Sequence, residues 1–147
     1  MGFSVVAEIN PPWEQEEVPD NALLFMRVHR SLVDEFGQVM PRAFVNHSDP
    51  NDPSSQPGMS TDWEKYSSAE ECRQKANQSG KQPANYAVVQ MRVGEVRGIP
   101  EQSVVHSPIN EPPIINRAHT DVFGEKDEEV RLSLFQISAV ALSLPQT

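Results

Sequence analysis

The sequence predicts an α+β domain, with a largely antiparallel sheet, a central capped helix and a C-terminal helix. Three observations carry that expectation. Two runs rich in strand formers stand out, Leu23-Leu24-Phe25-Met26-Arg27-Val28-His29 and Tyr86-Ala87-Val88-Val89-Gln90-Met91-Arg92-Val93. Ser67-Ser68-Ala69-Glu70 has the spacing of a capping box. Val130, Leu134, Ile137 and Ala141 recur at helical spacing behind Asp127, a good N-cap.

The elements follow in order. Residues 1–21 read as an acidic, proline-rich arm, because Pro11, Pro12 and Pro19 interrupt regular structure and Glu14, Glu16, Glu17 and Asp20 crowd the space between them. Trp13 is expected to pin the arm to the body. Residues 22–147 then form a single α+β domain. The first strand covers 23–29, entered through Asp20-Asn21. One helical turn is expected over Ser31 to Phe36, closed by Gly37, and a short strand or extended piece over Ala43-Phe44-Val45. Residues 46–58 form a loop, since Pro50, Pro53 and Pro57 punctuate a run with almost nothing to bury.

Ser67 is expected to cap a helix whose Ala69, Cys72 and Ala76 make a narrow apolar stripe and which Gly80 ends. After the strand at 86–93, Gly94 and Gly98 bracket one helical turn. Val104-Val105-His106 reads as a strand and Pro108, Pro112 and Pro113 as a loop. A further strand runs from Ala118 to Phe123 and stops at Gly124. The last helix extends from Asp127 to about residue 139. The resulting order is strand, loop, helix, strand, strand, strand, helix.

At 147 residues the chain has the length of one domain, and a domain of that size buries roughly 70% of its unfolded surface without a staple. The net charge of −9 argues against a surface built to grip nucleic-acid backbones, whose affinity comes from many Lys and Arg. The acidic runs at 14–20 and 125–129 read as solvated faces. A lone cysteine, Cys72, forbids an internal disulfide and fits a reducing compartment. The first residues lack the charged start and apolar core of a secretory signal, and no stretch has the apolar length of a membrane span. The location expected is cytoplasmic, with no membrane partner.

Arg27 and His29 sit within an apolar run, where donors are costly to bury without partners. Two further polar groups occur at Gly58-Met59-Ser60-Thr61-Asp62-Trp63 and Asn116-Arg117-Ala118-His119-Thr120-Asp121. These three places, with Arg42, point to one polar site assembled from separate elements. Arginine's rigid fork suits carboxylate or phosphate. The candidate ligand residues are Arg27, His29, Arg42, Ser60, Asp62 and His119. The chain's histidines lack the close spacing of a zinc motif, although His29, His106 and His119 with Asp62 are a set that folding can bring together. Ser60 has no Gly-x-Ser-x-Gly elbow around it. Cys72 reads as a small packed residue. No residue pattern specifies a cofactor.

Two resemblances attach to these residues. Arg27-x-His29, Arg42-Ala43-Phe44, Met59-Ser60-Thr61-Asp62-Trp63 with Lys65-Tyr66, Asn116-Arg117-Ala118-His119 and Gly124-Glu125-Lys126 together resemble a family of small uncharacterised bacterial proteins. That likeness spans residues 23–137 and implies bacterial origin without an activity. The chain also resembles, over much less, the ADP-ribosyltransferases. Arg27 or His29 matches their early Arg or His, Ser60-Thr61 their Ser-Thr-Ser strand, and Glu125 or Glu128 their later Glu, with Asp62 standing in place of the last Ser.

The expectation is a site for a small anionic or nucleotide-type ligand. Arg27 and Arg42 supply charge, His29 and His119 exchange protons, and Ser60 with Asp62 orients the ligand. Transferase chemistry on a nucleotide is the first enzymatic class to test. The alternative is a non-catalytic interaction protein whose arm and 46–58 loop contact a partner while the polar clusters hold the fold.

Overall fold

Side-chain alternation along the strands sorts this chain into two layers. The computed structural model describes residues 13–49 and 52–146. Its strands are β1 (Leu23–His29), β2 (Met59–Trp63), β3 (Tyr86–Arg92), β4 (Ser103–His106), β5 (Ile109–Glu111), β6 (Ile114–Asn116), β7 (His119–Phe123) and β8 (Ala139–Leu142). Its α-helices are α1 (Ala69–Gln74), α2 (Val93–Arg97) and α3 (Glu128–Ile137). Six strands form one sheet in the order β4-β7-β2-β1-β3-β8, with every neighbouring pair antiparallel, and β5 and β6 make a separate hairpin. This is the α+β architecture the sequence predicts. Among the described residues no helix is long and apolar enough to cross a membrane.

One sheet face is apolar. Leu24, Met26 and Val28 of β1, Met59 of β2, Val89 and Met91 of β3, Val104 of β4 and Val122 of β7 pack there with Phe44, Val93 and Val96 of α2, and Leu134 of α3. The other face carries Phe25 and Val88, which pack against Cys72 of α1 with Ala69, Ala141 and Leu142, and Ser60, Asp62, His119 and Asp121 make its β2–β7 half polar. The β1–β2 register pairs Leu24 with Trp63 and Phe25 with Asp62 and goes no further. Beyond that point β1 continues only against β3 and β2 only against β7.

Several boundaries differ from expectation. The capping box is present one residue later. Ser68 Oγ accepts from the Glu71 amide at 3.0 Å, and the Ser68 amide donates to Glu71 Oε1 at 2.9 Å. Ser67 is buried, and its hydroxyl donates to the Ser68 carbonyl. Residues 43–45 are not a strand. Pro41 opens a 3-10 turn over Pro41–Ala43, which drops Phe44 fully into the core. The turn expected over Ser31–Phe36 is a shorter 3-10 turn at Arg30–Leu32.

Four strands were not anticipated. Met59–Trp63 is central, and the proline-flanked segment 108–116 folds as the β5–β6 hairpin. Ala139–Leu142 leaves α3 to pair with β3, so the last helix stops at Ile137. The 46–58 loop is pinched by a bridge between His47 and Gly58. Its start is tied to the end of β7 by the buried Lys126, which donates to Asn46 Oδ1 at 2.7 Å and to the carbonyls of Val122 and Gly124. The arm expectation for residues 1–12 lies outside the described residues. Trp13 is half-buried, Val18 joins the main core, and Glu16 bonds to Lys65 and Tyr66.

Candidate functional site

The polar face of the sheet forms the floor of an open cleft of about 990 Å³. Because β2 pairs with β7 as Ser60 to Asp121 and Asp62 to His119, all four side chains share that face. Arg27 shares it too, two residues beyond Phe25 on β1. The walls are α1 with the following turn (Cys72, Lys75, Ala76), the β5–β6 hairpin, and both ends of the 46–58 loop. Arg27, Ser60, Asp62 and His119 all line the cleft.

Each of the four has a distinct environment. Arg27 is half-buried and its Nη1 donates to the Cys72 carbonyl at 2.7 Å. No carboxylate among the described residues lies within ion-pair distance of it. Asp62 is only 3% exposed. Its Oδ2 accepts from Lys75 Nζ at 3.2 Å and its Oδ1 from Asn116 Nδ2 at 2.7 Å. Asp62 therefore clamps two cleft walls to the floor, and both its oxygens are engaged.

His119 is held from both sides. Its Nδ1 lies 3.0 Å from the Ser107 carbonyl, and a carbonyl can only accept, so Nδ1 carries the proton. That leaves Nε2 of the neutral ring as an acceptor, 3.2 Å from Ser60 Oγ. The Ser107 hydroxyl lies 3.1 Å from the same Nδ1 and donates to Asp121 Oδ2 at 2.7 Å. Asp121 Oδ1 stands 4.0 Å from His119 Nε2. Ser60 is exposed to the cleft.

The remaining candidates do not join. His29 is exposed at the end of β1, where its Nδ1 accepts from the Ser31 amide and caps the 3-10 turn, and its ring meets Tyr86 edge-on. Arg42 is exposed on the Pro41–Ala43 turn and does not line the cleft. His106 faces the opposite side of the sheet, fully buried against Trp63 and Tyr66. Its Nδ1 accepts from the Glu16 amide, so its Nε2–H donates to the Arg117 carbonyl at 2.7 Å. The three-histidine set therefore does not assemble. Among the described residues no group of three or more His, Cys, Asp and Glu side chains could hold a metal ion.

Cys72 is buried, and burial, reinforced by the nearby Asp62 charge, pushes its thiol pKa well up, so it stays protonated and unreactive. Ser60-Thr61-Asp62 lies within β2.

Sequence reasoning missed Lys75, Ser107 and Asp121. Asp121 was legible in principle, since a residue two positions from His119 on a strand shares its face. Nothing local marks Lys75 or Ser107, which reach the cleft through α1 and the end of β4. Comparison of the chain with protein-family models, with curated proteins and with solved structures finds no match to any of them.

Proposed function

We propose that the cleft binds a small anionic or nucleotide-type ligand, with Arg27 as the group that receives its charge. One observation carries this reading. Arg27 is a half-buried cation lining a cleft, satisfied on one side by a backbone carbonyl and ion-paired with no carboxylate among the described residues. An arginine left in that condition retains donors for a carboxylate or phosphate oxygen. The cleft lies at the upper end of the size range for small-molecule sites. Lys75 adds no free charge, because Asp62 neutralises it. Ser60 and His119 supply hydrogen-bonding groups on the same cleft floor, while His29 and Arg42 have no part in this binding.

The test is thermal denaturation against nucleotides (including a nicotinamide dinucleotide), phosphorylated sugars and dicarboxylates. A ligand present at a hundred times its Kd stabilises by about 2.7 kcal/mol, which for a domain of this size raises Tm by several degrees. Arg27→Ala should retain the fold and lose that shift, and Arg27→Lys should retain part of it. A silent panel, or a shift unchanged in Arg27→Ala, refutes the reading.

A further inference from the structure

We infer that Ser60 is a nucleophile activated by His119, and that the cleft hydrolyses a carboxylic ester carrying an anionic group. The inference rests on the preceding reading only for the anionic end of the substrate. The nucleophile itself stands on the hydrogen-bond geometry.

A serine hydroxyl is a weak nucleophile until a base takes its proton, and a histidine can do so only with its free nitrogen aimed at the hydroxyl. Both conditions hold. The Ser107 carbonyl fixes the His119 proton on Nδ1 at 3.0 Å and so presents the bare Nε2 to Ser60 Oγ at 3.2 Å. A carbonyl thus does what the carboxylate does in a Ser-His-Asp triad, which is to set the tautomer and the ring's orientation. Asp121 supplies the negative charge. It lies 4.0 Å from Nε2, and the Ser107 hydroxyl anchors its other oxygen at 2.7 Å. Ser60 opens onto the cleft, and Arg27 is a cation on the same face of the sheet.

The chemistry balances with water as the second reactant. Ser60 Oγ bonds to the acyl carbon while its proton passes to His119 Nε2. The tetrahedral adduct expels the alcohol, which takes that proton. Water then adds to the acyl carbon, giving a proton to Nε2, and the acid leaves as Ser60 recovers its proton. The sum is ester plus water to carboxylic acid plus alcohol.

The decisive experiment treats the intact chain with a fluorophosphonate and maps the adduct by mass spectrometry. The expected result is a single modification on Ser60, absent in Ser60→Ala and slowed at least about a hundredfold in His119→Asn, with circular dichroism confirming that both variants fold. No adduct on Ser60, or labelling at an unchanged rate in folded His119→Asn, overturns the inference. Should His119→Asn not fold, His119→Gln replaces it in the same comparison.

Hydrolysis of p-nitrophenyl succinate against p-nitrophenyl butyrate then separates the two readings. Preference for the charged ester that Arg27→Ala removes supports both. Ser60 labelling with no such preference overturns the anionic subsite and leaves the nucleophile standing.

Discussion

Asp62 shows how one side chain holds the cleft together. It is almost wholly buried, and its two oxygens reach a lysine from the helical wall and an asparagine from the hairpin side. Removing one partner of a buried pair leaves the other charge stranded. Asp62→Asn should therefore destabilise the protein by about 3 kcal/mol, read as a lower urea midpoint with an unchanged slope. Asn116 Oδ1 also accepts from the Ala118 amide, so the disturbance should reach the start of β7 next to His119. The sequence marked Asp62 as a ligand residue because it sits in a polar group near Ser60. Its burial and its pairing with Lys75, thirteen positions away, were invisible there, because they depend on where α1 lands.

At the scale of elements, the short α1 forms one wall of the cleft. It has only six residues, so its ends matter more than its interior. The Ser68–Glu71 box satisfies two of its orphan backbone groups, and the Ser68 amide and hydroxyl hold the Glu71 carboxyl below its ordinary pKa. Ser68→Ala should cost about 1 kcal/mol, while Ser67→Ala should leave the helix start intact. Hydrogen exchange at Glu71 distinguishes the two variants. The motif was legible in the sequence and its register was not, since Ser67 and Ser68 both precede an acidic residue by three positions and only burial chooses between them. β2 and β8 were missed for a related reason. Each is short, and each is a strand because neighbouring strands offer it a ladder rather than through its own propensity.

For the molecule as a whole, the segment 13–21 is held against the apolar side of the sheet by a polar latch. Glu16 pairs with Lys65 at 2.6 Å and accepts from the Tyr66 hydroxyl, while its amide donates to His106. Those bonds, Lys65 first, lower the Glu16 pKa from its ordinary value of 4.5. The folded pKa lies below the unfolded one, so the carboxylate's contribution is complete above about pH 4.5 and is lost as pH falls through the lowered value. The stability difference between wild type and Glu16→Gln should therefore shrink on acidification below that point. Urea denaturation across a pH series measures it, and a difference that stays constant down to pH 2 would contradict the latch.

The sequence by itself determined the fold class, the two strongest strands, the capped helices and the three polar groups, because periodicity and capping are local properties of a chain. Tertiary structure alone decided which polar residues meet. It brought Arg27, Ser60, Asp62 and His119 to one face through strand register, sent His29 and Arg42 to the surface and His106 to the opposite side, and supplied Ser107 from the end of the neighbouring β4 to orient His119. Register and packing decide such meetings, since a shift of one residue turns every side chain of a strand to the other face, and no stretch of sequence read alone contains its partner's alignment.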